Sequence, residues 1–277
     1  MTPNPSVVKK PNCNIFRPVA LTAAGFDPSS GAGITADLKV FAAHEVYGVA
    51  AITALTVQST QGVQRVEPVG DRVLRDTLEC LAEDVGASYA QFAGVKIGML
   101  GSAANVRALV SFLRAAGIPR ERVVLDPVLR SSSGAELLEP VGVGVLRDDL
   151  LELVGWVTPN VDELGILTGE PVAGREQVQE LAARLAAPGL NVVVTGGHLD
   201  PPDDFLRTAT GHVTWFPGAR VETTSTHGTG CVFSSALLCR LIAGDSAEDA
   251  VRGAKEFMRR ALESATPVGR GKGPVLG

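Results

Sequence analysis

The chain has 277 residues, of which 45% are hydrophobic and 5% aromatic, long enough to bury a sizeable core without disulfide or metal staples. Its 25 basic and 30 acidic residues give a net charge of −5, and no basic stripe is visible, which argues against nucleic acid as a partner. The longest apolar run, 49–57, is far shorter than the roughly 20 residues of a membrane-spanning helix.

Residues 1–17 carry Lys9 and Lys10 but no apolar core, so they read as a polar extension and not as a secretory signal. Beyond them, β-branched or aliphatic runs at 19–23, 50–57, 94–97, 122–125 and 191–194 alternate with apolar residues at helical spacing: Ile34, Leu38 and Phe41, then Val73, Leu74, Leu78 and Leu81, then Val106, Leu109, Val110 and Leu113. The strand runs are nearly continuous in apolar residues, the pattern of a mostly parallel α/β sheet covered by helices on both faces. After Gly196 the pattern changes. Segments 212–216 and 220–224 read as paired strands turning at Pro217-Gly218, followed by helices over about 228–242 and 247–264. The second carries an inner stripe of Val251, Ala254, Phe257, Met258 and Leu262. No repeat or linker divides the chain, so 18–277 reads as one domain. Four cysteines, Cys13, Cys80, Cys231 and Cys239, form no C-x-x-C pair, which suits reduced thiols in the cytoplasm.

Chemistry concentrates where strand runs end. Segment 24–33, A-G-F-D-P-S-S-G-A-G, lies between the first strand and a helix, where open α/β sheets bind ligands; it matches neither the dinucleotide fingerprint nor a P-loop. Gln58 ends an apolar strand and can present its amide to a ring nitrogen or bond the backbone. Asp126 closes the strand at 122–125, where a carboxylate can orient a hydrated metal. Asn160 and Glu163 have the spacing of a helix capping box. The sharpest segment is 226–231, T-H-G-T-G-C, directly before a helix. It reads either as a glycine turn or as an anion site whose amides and helix dipole hold a phosphate. A thiol at that helix start is expected to have a lowered pKa, making Cys231 a base or nucleophile, whereas Cys239 reads as core.

Together these motifs, with K-I-G-M-L at 96–100, L-D-P-V-L at 125–129, T-P-N at 158–160 and G-G-H at 196–198, resemble the hydroxymethylpyrimidine/phosphomethylpyrimidine kinases of thiamine biosynthesis, in the ribokinase-like superfamily. The resemblance implies a three-layer α/β/α sandwich with the substrate above the carboxyl ends of the strands. It implies that Gly25, Ala32 and Asp37 line the pyrimidine pocket, that Gln58 bonds the aminopyrimidine edge, and that Met99 and Val128 pack on the ring. By the same resemblance Gly228 and Gly230 would shape the anion hole, and Cys231 would be the base on the hydroxymethyl oxygen. Asp126, Asn160, Thr195, Thr226 and His227 fall on the nucleotide side, with Asn160 and Glu163 placing Mg²⁺. ATP, Mg²⁺, K⁺ and a homodimer are implied with them. The mechanism the resemblance implies is in-line phosphoryl transfer, driven by positioning and charge neutralisation.

The chain departs from that family at two points. Thr195 stands where a lysine precedes Gly-Gly-His, and Ser132-Ser133-Gly134 where Lys-Ser-Gly follows the Asp-Pro-Val strand. Arg130, Arg270 and Lys272 are the candidate replacement cations. Two rival readings are a pyridoxal kinase of the same superfamily and a pyrimidine-binding sensor that has lost phosphoryl transfer.

Overall fold

A computed structural model describes residues 17–86, 92–131 and 134–276. In chain order they form β1 (Val19–Phe26), α1 (Gly33–Ala43), β2 (Tyr47–Ser59), β3 (Gly62–Pro68), α2 (Asp71–Leu81), β4 (Gly94–Ile97), α3 (Ala103–Ala116), β5 (Val123–Leu125), α4 (Pro140–Val145), β6 (Trp156–Val157), α5 (Val161–Thr168), α6 (Arg175–Leu185), β7 (Asn191–Val194), β8 (Asp204–Arg207), β9 (Val213–Phe216), α7 (Thr229–Ile242) and α8 (Ala247–Ser264). The strands make one nine-stranded sheet in the order β3-β2-β1-β4-β5-β6-β7-β8-β9. From β2 to β7 every pairing is parallel, while β3, β8 and β9 run antiparallel at the two edges.

Alternation along the parallel strands sorts side chains into two cores. Val123 and Leu125 of β5 join one with α2, α3, α5 and α6, whereas Val124 joins the other with α1, α7 and α8. That is the expected three-layer sandwich. The order reverses around β1, with β2 on one side and β4 on the other, so loops at the carboxyl ends diverge there and open a crevice.

Two expectations about the edge change. The partner of β9 is β8, not 220–224. Phe205 and Leu206 of β8 are fully buried and pair with Trp215 and Thr214 of β9, whereas Arg220, Glu222 and Thr224 are exposed. Asp203 accepts the Gly218 N–H at 2.9 Å and turns the chain away after β9. The sequence pattern also misses β3, which extends the opposite edge with half-exposed Val63 and Val66. Cys13 and Ser132-Ser133 lie outside the described residues.

Candidate active site

The carboxyl ends of β1, β4, β5, β6 and β7 and the start of α7 surround one cleft of about 1180 Å³. Every sequence-predicted site residue except Asp37 lines it: Gly25, Ala32, Gln58, Met99 and Val128 beyond β1, β2, β4 and β5, Asn160, Glu163 and Thr195 beyond β6 and β7, and Asp126, Thr226, His227, Gly228, Gly230 and Cys231 between. Met99 and Val128 belong to a small separate apolar cluster with Ala54, Val66 and Leu137, which gives one wall of the cleft a face for a flat ring. Leu137 completes that wall and has no motif to announce it.

Two glycine loops meet at the centre. Gly228 caps α7 with φ +87°, and a Cβ there would stand 1.8 Å from the Gly31 carbonyl oxygen. Glycine therefore lets 226–230 press against 27–32, with the first amides of α7 beside the cleft.

Asp37 is the exception. Its carboxylate is fully buried, accepting Thr22 Oγ1 at 2.6 Å and Ser235 Oγ at 2.8 Å, and it pairs with Lys96 Nζ at 2.9 Å. It lies beneath the pocket and does not line it, because a buried lysine on β4 demands a carboxylate partner. Lys96 stands 4.0 Å from Asp126 as well. Burial works against its charge, but Asp37, Cys231 and Asp126 hold its pKa above the ordinary lysine value. Lys96 opens the K-I-G-M-L motif at 96–100, which by itself assigns it no role. A charged residue inside the otherwise apolar strand 94–97 was the available signal.

Cys231 does not have the lowered pKa that its place at the start of α7 suggests. Burial pushes the thiol up to about 12, with Asp126 and Asp37 adding to the rise, while Lys96 and a backbone hydrogen bond from Gly33 only partly offset them. The helix-start field loses to desolvation because the sulfur faces inward. Cys239 is buried core, and its thiol is likewise raised by burial.

Asn160 and Glu163 form the capping box. Asn160 Oδ1 accepts the Glu163 N–H at 2.9 Å and Glu163 Oε2 accepts the Asn160 N–H at 3.0 Å. Glu163 also faces Asp126 across the cleft floor. Burial, then the Asp126 charge, raises its carboxyl to about 8. The Asp126 carboxyl is raised by burial against the pull of Lys96. Two buried acids that disfavour each other's charge suit a small divalent cation. Among the described residues no group of three or more His, Cys, Asp or Glu side chains could hold a metal. The Asp126–Glu163 pair is a smaller donor set than that, of the kind that would hold Mg²⁺ only together with phosphate and water.

His227 bridges segment 27–32 and β2, its Nε2 2.8 Å from Asp27 Oδ2 and 2.9 Å from Gln58 Nε2. Glycine at 31 leaves room for it, since a Cβ there would stand 2.3 Å from His227 Cδ2. Of the candidate replacement cations, Arg130 and Lys272 line the cleft and Arg270 does not. His198, within Gly-Gly-His, lines the same cleft beside Asp162, Nδ1 to Oδ2 3.0 Å.

The Phosphomethylpyrimidine kinase family model matches residues 27–276. The chain is 38% identical over 261 residues to a hydroxymethylpyrimidine/phosphomethylpyrimidine kinase of Haemophilus influenzae, covering 92% of this chain and 94% of that one. Among solved structures, a phosphomethylpyrimidine kinase from Clostridium difficile 630 matches with a TM-score of 0.76 at 32% identity, over 89% of this chain and all of the other. A Bacillus subtilis pyridoxal kinase, solved as an ADP complex, matches with a TM-score of 0.82 at 28% identity, over 93% and 96%. With a family model spanning nearly the whole sequence and a relative this similar along its full length, the chain belongs to the hydroxymethylpyrimidine/phosphomethylpyrimidine kinase family.

Proposed function

We propose that this protein transfers a phosphoryl group from ATP to the hydroxymethyl oxygen of 4-amino-5-hydroxymethyl-2-methylpyrimidine, and then to the resulting monophosphate, in thiamine biosynthesis. The observation that carries the reading is one cleft joining an apolar ring wall (Met99, Val128, Leu137) and a polar amide (Gln58) to the amide loop of Gly228–Gly230. Ring and phosphate thus meet within one pocket, the arrangement that in-line transfer requires. Mg²⁺ held by Asp126 and Glu163, with Asn160 fixing Glu163, neutralises phosphate charge when bound; K⁺ is part of the same proposal. Cys231 is the base in this reading. It acts as the thiolate: the thiol first gives its proton to solvent in the cleft, a loss favoured by Lys96 and opposed by burial, and the thiolate then takes the hydroxyl proton as the oxygen attacks the transferred phosphorus and ADP leaves.

A pyridoxal kinase is the second reading, favoured by the higher TM-score of the Bacillus subtilis enzyme. Sequence identity to the Haemophilus influenzae relative favours the pyrimidine. The sensor reading has the absence of the family lysine at Thr195 in its support, and the intact 226–231 loop against it. Cytoplasmic residence accords with free Cys80, Cys231 and Cys239, and no described helix is long and apolar enough to cross a membrane. A homodimer accords with exposed Leu55 and Val57 on β2, and sedimentation tests it. The function itself is tested by ADP release with hydroxymethylpyrimidine, ATP, Mg²⁺ and K⁺. Release that depends on the pyrimidine supports the reading, and binding without release supports the sensor.

A further inference from the structure

The Asp27 carboxylate is almost fully buried and is surrounded by donors. Oδ1 accepts Ser29 N–H at 2.8 Å and Ser29 Oγ at 2.7 Å, while Oδ2 accepts Gly31 N–H at 3.1 Å and Ala32 N–H at 2.9 Å. Burial opposes the charge, yet the hydrogen bonds from His227 and Ser29 hold Asp27 below the ordinary carboxylate range. An ionised carboxylate only accepts, so His227 Nε2, 2.8 Å from Oδ2, must carry a hydrogen.

That hydrogen decides the direction of Gln58. Its Nε2 stands 2.9 Å from the same His227 nitrogen, and two hydrogen-bearing nitrogens cannot bond each other. The contact is satisfied only with the amide turned about its last torsion, Oε1 sharing the His227 hydrogen and NH₂ facing away. Gln58 lines the cleft, so the NH₂ is the face left for a ligand.

We propose that Asp27 and His227 are positioning residues for ring specificity: they hold the Gln58 carbonyl and so commit its NH₂ to donate to an unprotonated ring nitrogen of the substrate. A ring nitrogen beside an amino group, as on an aminopyrimidine edge, accepts that bond. A ring bearing N–H at the same point sets donor against donor and binds poorly. The identity of the ring rests on the function proposed above, while the direction of the amide rests on the geometry alone.

The test uses the full chain. In ¹⁵N-labelled protein without substrate, with the His227 signals assigned by their loss in His227→Gln, Nε2 is expected to be protonated at neutral pH. A bare Nε2 overturns the proposal whatever the enzyme phosphorylates. In kinetics, Asp27→Asn should raise the KM of hydroxymethylpyrimidine about tenfold and move that of ATP by less than about twofold, and the double variant with Gln58→Leu should be no worse than Gln58→Leu alone. Multiplying effects, or an equal rise in the ATP KM, overturn the positioning role. His227→Gln, which keeps a donor, should retain more of the substrate affinity than His227→Leu; equal losses in both overturn the role as well. A wild type that turns over no hydroxymethylpyrimidine refutes the kinase reading, and the imidazole signal still decides the direction of the amide.

Discussion

Lys96 Nζ lies 2.9 Å from Asp37 Oδ1 and 3.0 Å from Oδ2, and neither side chain touches solvent. The pair ties α1 to β4 directly beneath the cleft, with Asp126 just beyond β5 4.0 Å away. Replacing such a pair by apolar groups costs little, but removing one partner strands the other as an uncompensated buried charge. Lys96→Met is therefore expected to lower stability by about 3–5 kcal/mol in urea unfolding, and Lys96→Met with Asp37→Leu to recover most of it. Turnover should stay low in both, because Asp126 and Cys231 lose their cation. Equal stability of wild type and Lys96→Met would show that the pair carries no weight.

The buried thiol of Cys231, raised to about 12, is protonated at neutral pH. Iodoacetamide should label exposed Cys80 in the folded protein and leave Cys231 and Cys239 unlabelled until urea unfolds the chain. Peptide mass analysis reads this directly, and rapid labelling of Cys231 contradicts the burial account. Cys231→Ser should lower kcat by about 100-fold or more while the substrate KM stays within a few-fold. Unchanged turnover removes the thiol from the reaction.

Glu163 makes stability depend on pH with a definite sign. Its folded pKa, about 8, lies above its ordinary 4.5, so the native state holds a proton that the unfolded chain releases. Stability therefore falls as pH rises from 4.5 through about 8. Glu163→Gln keeps the shape without ionising. In metal-free protein, wild type should lose stability relative to Glu163→Gln across that window, and Mg²⁺ should restore it in wild type alone. A gap that does not change with pH contradicts the assignment.

The parallel core was legible because buried strands are continuous apolar runs, and the cleft because polar and glycine-rich segments follow those runs. Local pattern could not find the edges. β8 is only D-F-L-R, with charged ends, whereas 220–224 has strand-like alternation, and a bond from Gly218 to Asp203 decides between them. Nor could it find burial. The roles of Asp37 and Cys231 turn on Lys96, which stands 59 residues from Asp37 in the chain. Asp27 lies inside a recognised motif, but the histidine that gives it meaning is 200 residues away.

Thr195 lines the cleft, its N–H bonded to Pro159 O and its backbone bridged to Asn160. A long side chain there would extend into the cleft. Thr195→Lys should lower the ATP KM about fivefold or more, as one charge-assisted contact allows, without changing the pyrimidine KM. Reduced activity would mean that Arg130 or Lys272 already supplies the charge and the new lysine crowds it. No change in ATP KM or kcat would show that position 195 does not face the phosphates.

In the proposed function this cleft is built for an aminopyrimidine bearing a hydroxymethyl group. Steady-state turnover of hydroxymethylpyrimidine and pyridoxal, side by side at saturating ATP and Mg²⁺, tests it most directly. A kcat/KM for the pyrimidine greater by about tenfold or more is expected, falling toward parity in Gln58→Leu as the amide contact is lost. Equal or faster turnover of pyridoxal by the wild type would contradict it.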